Sequence, residues 1–292
     1  MIKQTRGEKV FNVFNVLLLG ILSFIALYPF IYTVSMSLST AAEAAREGFH
    51  LYPREVSLTA YRMILNNRDI LTGYSNTLLR TVAGTILTLV FTCLCAYPLS
   101  RKDMPLRRIF MFAIILTMLF DGGLIPNYLL RKNLGLLNNR LVYILPYMLV
   151  AFNIIVVKNF FQQVPEALAE AARIDGASEW RTLWQIYVPL SKPVLATVAL
   201  WTAVMHWNMW FDAMVFITDN DKQVMQTFLQ RIVIDSSTEM AERGLINPDV
   251  TKFTPETVKA ATIVVTILPM LALYPFVQRY FVKGISLGGV KE

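Results

Sequence analysis

Residues 165–193, PEALAEAARIDGASEWRTLWQIYVPLSKP, decide how the rest of the chain is read. The stretch lies between two hydrophobic segments and mixes charge with helix formers. Pro165 suits a first helical position, where its missing N–H would have no helical partner. Glu166 to Arg173 are dominated by alanine, leucine and glutamate, strong helix formers all. Gly176 can take the left-handed conformation that ends a helix. Ser178 can cap a second helix, with Glu179 in its first turn, where negative charge is favoured. Pro189 and Pro193 close the segment. The pattern predicts two short helices hinged at one glycine.

Working outward, composition sets the environment. The 292 residues are 55% hydrophobic and only 16% charged, with mean hydropathy +0.49. Soluble domains carry about 25% charged residues. The deficit implies that much of the surface faces a lipid bilayer. Net charge is +7, but the basic residues form no nucleic-acid-type run, which argues against a nucleic-acid partner. Cys93 and Cys95, the only cysteines, sit two apart in an apolar stretch. That spacing fits neither a disulfide framework nor a zinc site, and both read as small core residues.

An apolar core about 30 Å thick needs about 20 helical residues. Six stretches qualify, roughly 11–34, 75–99, 109–130, 141–162, 194–217 and 260–282. The first exceeds the h-region of about 7–15 residues in a cleaved leader and reads as an uncleaved span. Tyr28, Phe30 and Tyr32 near its far end suit the headgroup level. The expected fold is an all-α integral membrane domain covering residues 1–292, with no separate soluble domain. Segments 1–10, 100–108, 163–193 and 283–292 hold twelve Lys/Arg against seven acids. The longer opposite segments, 35–74, 131–140 and 218–259, hold twelve against eleven. The denser basic side, which carries both termini, is expected in the cytoplasm. A short surface helix is expected near 58–65, a tight turn at Gly135, and a long outer segment at 218–259.

Glu170-Ala171-Ala172, Asp175-Gly176-Ala177, then Ile186 and Pro189, resemble the EAA signature of bacterial ABC importer permeases. The whole chain, with its Lys283–Lys291 tail, is similar to the maltose-type carbohydrate permeases. Gly122-Gly123-Leu124-Ile125-Pro126 and Asn76-Thr77-Leu78 resemble the LplC/YtcP-like branch, which handles complex oligosaccharides. The resemblance implies six spans with loop 165–189 coupling the fourth and fifth to a cytoplasmic ATP-binding subunit. It implies a homologous second permease subunit, two copies of the ATP-binding subunit, and an extracytoplasmic solute-binding protein delivering an oligosaccharide, with alginate- or pectin-derived uronates as candidates. Segments 35–74 and 218–259 would meet the binding protein, and the tail would reach the ATPase interface. ATP and Mg would sit on the partner, and this chain would bind no cofactor. Consistently, the sequence contains no Gly-x-x-x-x-Gly-Lys-Ser/Thr phosphate loop and no His-x-x-x-His pair.

Polar residues at membrane depth usually face protein or water. Arg80 reads either as a path residue or as an interfacial anchor. Asp121, beside two glycines that loosen the helix, reads as path-facing or structural. Asn153 suits the path or an inter-helix hydrogen bond. Trp207, Asn208 and Asp212 are read as lining the path, and Trp201 and Trp210 as packing. Three alternatives stand beside the leading reading. They are a permease for a non-sugar solute, an intramembrane enzyme built on Asp121, His206 and Asp212, and a stand-alone channel or ion-coupled carrier.

Overall fold

The computed structural model describes residues 5–46, 48–234 and 254–285, with backbone alone for Arg6 and residues 273–285. The described residues are helical and hold no strand, only an isolated bridge between Ser39 and Val56. They fall into two compact units, one from residues 1–68 with 231–268 and the other from 69–230 with 269 onward.

The first unit is led by α1 (Arg6–Ser37). Thr5 and Glu8 form a reciprocal capping box at its start, satisfying two otherwise orphaned amides. Its apolar side chains stay exposed from Val10 to Phe30, as suits a helix facing lipid or another subunit. Past α2 (Ala41–Ala44), the expected surface helix is α3 (Thr59–Asn66). It buries Ala60 and Ile64, and its Tyr61 hydroxyl lies 2.7 Å from Ser37 Oγ.

The second unit begins with α4 (Arg68–Ser100). Its buried residues include Gly73, Asn76, Thr77, Arg80, Thr81, Gly84, Thr88 and Thr92. They recur three and four apart, so from Gly73 to Thr92 one face of the helix is polar and, Arg80 aside, small. Small residues let helices approach closely where water no longer drives association. Helices α5 (Arg107–Leu119), α6 (Leu124–Asn133) and α7 (Ala151–Phe161) follow, with 3-10 turns at Arg140–Tyr143 and Leu145–Tyr147. The segment 165–193 gives α8 (Glu166–Ile174), α9 (Glu179–Thr182) and α10 (Val188–Leu190), and α11 (Lys192–Asn208) and α12 (Phe211–Phe216) come next. Two further helices, α13 (Met225–Ile234) and α14 (Pro255–Ile285), each contribute residues to both units.

Three of the expected spans are broken. α5 and α6 meet at 115° instead of forming one helix over 109–130. Gly123 at φ +77° turns the chain there, and Asp121 Oδ1 accepts the Gly123 amide at 3.0 Å. Over 141–162 the two 3-10 turns, which contain Pro146, bend 46° from α7. The expected 194–217 span starts at Lys192 but stops at Asn208, and α12 resumes after Met209 and Trp210. Three helices, at Gly7–Ser37, Arg68–Ser100 and Pro255–Ala272, are individually long and apolar enough to cross a membrane, and up to six segments qualify if α5 with α6, Arg140–Tyr147 with α7, and Glu179–Leu190 with α11, the last bent by 83°, are each one span. Within the 218–259 segment, expected on the outer side, lie a 3-10 turn at Asn220–Lys222 and α13, while 235–253 fall outside the described residues. Gly135 makes the expected turn at φ +68°. In the expected C-terminal tail, 286–292 also lie outside the described residues.

Candidate coupling site and polar core

The α8–α9 hairpin follows from local chemistry. Pro165 is the residue before the helix, not its first turn, with ψ 126°. At the other end Gly176 takes φ +76°. The Ala177 amide reaches Ala172 O at 2.8 Å, and the Gly176 amide reaches Arg173 O at 3.0 Å. These two bonds form a Schellman closure, which needs the left-handed residue between them. Ser178 Oγ then accepts from the Arg181 amide at 3.3 Å and starts α9. Beyond α9, residues Leu183–Tyr187 wind as a π-helix. Pro189 has no N–H to offer Gln185 O, which favours this local rewinding.

The hairpin is rooted in the interior. Ala169, Leu183 and Tyr187 share one buried apolar cluster with Cys93, Ala96 and Tyr97 of α4, Val157 and Phe161 of α7, and Val194 and Val198 of α11. Cys93 is thus the buried core thiol that its position in the sequence implies, while Cys95 is half-buried. The outer side of the hairpin is open. Glu170, Ala171, Asp175 and Pro189 are exposed. Ala172, Asp175, Ala177 and Ile186 line one shallow groove of about 240 Å³ with Arg181 and Gln185. Glu170 is separate from them and borders a second cavity of about 280 Å³ with Arg101, Lys102 and Arg173. Ile174 is 87% exposed and Trp180 62%, so among the described residues the tip presents large apolar side chains that are mostly uncovered.

Between hairpin and α4 lies an ionic cluster that the sequence did not reveal. Glu179 Oε1 accepts from Arg173 Nε at 3.1 Å. Its Oε2 accepts from Arg101 Nη1 at 3.3 Å and from the Tyr97 hydroxyl. Arg101 forks onto Asp103 through Nε and Nη2, both at 3.0 Å. That fork holds the Asp103 carboxyl below its ordinary range. A lowered folded value means the contact is intact above the usual carboxylate range and is lost as pH falls through the lowered value.

The predicted path residues divide. Arg80 does not snorkel to an interface: it is fully buried and paired with Asp212, which is 3% exposed. Arg80 Nη1 lies 3.1 Å from Asp212 Oδ1, and Nη2 bonds the other carboxylate oxygen. Met209 O takes a further bond from Nη1 at 3.1 Å, and the guanidinium lies 4.8 Å above the Tyr143 ring. Asp212 is therefore occupied as a counter-ion. Asn153 is 2% exposed and takes the inter-helix role, accepting from Trp201 Nε1 at 2.8 Å and donating to Thr202 Oγ1 at 3.4 Å. Trp207 is buried and meets the Tyr74 ring edge-on at 5.6 Å. Asn208 is exposed and donates to Val204 O at 2.9 Å within its own helix. Asp121 is exposed and holds the α5–α6 break through Gly123 and Asn127. An acid–base pair between His206 and Asp212 is absent among the described contacts. His206 is fully buried with neither ring nitrogen bonded, against Gly84 and the Tyr147 ring. The 3–4 spacing of Asn, Thr and Gly on α4 was the sequence signal that would have exposed this polar core.

The helices pack through the polar face of α4, and the hairpin is rooted among them. The chain belongs to the binding-protein-dependent transport system inner membrane component family, whose profile matches residues 70–287. It is 41% identical over 289 residues to Protein LplC of Bacillus subtilis, covering 99% of this chain and 97% of that one. It is 40% identical to the Polygalacturonan/rhamnogalacturonan transport system permease protein YtcP of the same organism, covering 96% and 99%. A solved chain from a bacterial ABC transporter involved in the import of the acidic polysaccharide alginate superposes with a TM-score of 0.89. That chain is 37% identical, with 96% of this chain and 100% of that one covered. The protein is thus a multi-pass inner-membrane permease subunit of a binding-protein-dependent ABC importer.

Proposed function

We propose that this chain forms half of the translocation path for an acidic oligosaccharide and couples that path to ATP hydrolysis on another subunit. Residues 1–292 act as one transmembrane domain of six spans, three of them broken, with both termini and the 165–189 loop in the cytoplasm. Glu170, Ala171, Ala172, Asp175, Gly176, Ala177, Ile186 and Pro189 form the docking knob for the ATP-binding subunit, which holds ATP and Mg. A homologous permease completes the path, two copies of the ATP-binding subunit sit beneath, and an extracytoplasmic binding protein delivers the saccharide.

The observation that carries the coupling reading is the hairpin itself. Its inner face is locked into the helix core while its outer face offers a groove, an exposed carboxylate and uncovered Ile174 and Trp180. A locally folded knob with that division suits transfer of motion between subunits. The acidic substrate rests on different support. Among the relatives are a polygalacturonan/rhamnogalacturonan permease and a chain of an alginate importer, and polygalacturonan and alginate are both built of uronic acids. In this chain Arg131 lies 4.2 Å above the Phe216 ring and 6.0 Å from that of Tyr147. No carboxylate pairs with it among the described residues. A stacked guanidinium keeps a hydrogen-bonding edge free for a carboxylate. By contrast Arg80 is already neutralised and Trp207 is buried against Tyr74, so exposed Asn208 remains the path candidate of α11.

The test is Glu170→Lys in the complex with its partner permease, ATP-binding subunits and binding protein. The variant should insert normally but lose binding-protein-stimulated hydrolysis and uptake, and wild-type stimulated hydrolysis would overturn the coupling role.

A further inference from the structure

We propose that Glu179 is the positioning residue that fastens the coupling hairpin to α4, giving hairpin motion a route into the polar core besides the covalent one. The proposal rests on the coupling reading above and deepens it. Along the chain, the hairpin is joined to α7 before it and α11 after it. α4 has no such covalent neighbour on the hairpin. What joins them is apolar packing and, at and just past the end of α4, a set of ionic contacts in which Glu179 is central, beside a longer Lys102–Glu166 pair at 3.6 Å.

The Glu179 carboxylate is unusually well engaged for a first-turn helix acid. Helix-dipole stabilisation of α9 asks only for a negative charge near Ser178. Glu179 instead receives three side-chain donors, each from a different place. Arg173 comes from the last turn of α8, Arg101 from the residue after α4, and the Tyr97 hydroxyl from the last turn of α4 itself. Arg101 is held in place by Asp103, and Arg173 Nη2 approaches Asp103 at 3.9 Å, so the four charges close a ring. Directly behind it the Tyr97 ring meets Tyr187 edge-on at 4.9 Å, and Tyr187 meets Phe161 at 5.5 Å. Glu179 therefore joins both hairpin helices to α4 at a point backed by packed aromatic rings.

The far end of α4 makes this joint consequential. From Tyr97 to Arg80 the helix rises about 25 Å at about 1.5 Å per residue, most of an apolar bilayer. There Arg80 is clamped to Asp212, just after the break between α11 and α12. A shift of the hairpin pulled through Glu179 is delivered along one continuous helix to that break.

The experiment uses the whole reconstituted complex in proteoliposomes. Three variants, Glu179→Gln, Arg101→Gln and Tyr97→Phe, are compared, the last lying on α4 and away from the exposed knob. Each should retain its ATP-binding subunits, and Glu179→Gln and Arg101→Gln should lower both stimulated hydrolysis and uptake about five- to tenfold, a typical span for coupling between sites. Arg101→Lys, which keeps a charged donor for Glu179, should recover part of the loss of Arg101→Gln, which a role of Glu179 in helix capping alone would not predict. Glu179→Gln and Arg101→Gln both within twofold of wild type would overturn the proposal. So would loss of bound ATP-binding subunits from Glu179→Gln alone, which would make Glu179 a docking residue. A wild-type complex without ATP-driven uptake would instead overturn the coupling reading on which this one stands.

Discussion

At the scale of single residues, Arg80 and Asp212 dominate. They are 132 positions apart, buried, and joined by paired hydrogen bonds. Removing one partner of a buried pair leaves an uncompensated charge and costs about 3–5 kcal/mol. Arg80→Ala and Asp212→Ala should each lower the thermal unfolding midpoint of the detergent-solubilised protein sharply. Arg80→Met with Asp212→Leu should be less destabilised than either single variant, because no orphan charge remains. A double variant as unstable as the two effects summed would refute this. The Gly84–His206 contact is the second residue-scale feature. A Cβ on Gly84 would lie 2.5 Å from His206 Nε2, with the ring fully buried and no room to retreat. Overpacking of this kind costs about 1–3 kcal/mol. Gly84→Ala should therefore lower the unfolding midpoint, and adding His206→Ala should restore part of it. Neither feature was legible from local pattern, since each joins groups far apart in the chain. Arg80 and Asp212 both stood out as charges at membrane depth, yet nothing in their spacing revealed that they meet.

At the scale of elements, the hairpin was the most legible part of the molecule. Its signals are local: helix formers, a glycine, a capping serine and a closing proline within 29 residues. Only Pro165 differed, by one position, because its extended ψ places it outside the helix. The spans were less legible. Hydropathy reports length and polarity but not direction, so Asp121–Gly123 and Pro146 read as parts of spans and emerged as bends of 115° and 46°. A left-handed conformation costs a residue with a Cβ about 1–2 kcal/mol. A Cβ on Gly176 would meet open space, so conformation alone constrains the site. Gly176→Ala should therefore leave insertion intact and reduce stimulated hydrolysis, whereas Gly176→Asn, which tolerates that conformation better, should retain more of it. Equal activity of the two variants in an ATPase assay of the assembled complex would contradict this account of the hinge.

At the scale of the whole molecule, the two compact units and the exposed apolar length of α1 describe a chain built to sit in lipid beside other subunits. The charge balance between its loops gave orientation only a narrow margin, because Arg131, Lys132 and Arg140 crowd the opposite side. Arg140 is engaged locally, with Asn76 Oδ1 and Asp221 O both at 2.9 Å, so its charge serves the fold rather than topology. The hairpin fixes the proposed orientation more firmly than the count does, since it needs a soluble partner that carries the nucleotide. The measurement that tests this most directly is saccharide uptake into proteoliposomes holding both permeases and the binding protein, with and without the ATP-binding subunits and ATP. The account predicts uptake only when both are present. Concentrative uptake that continues without them would contradict it, and would make the chain a carrier in its own right.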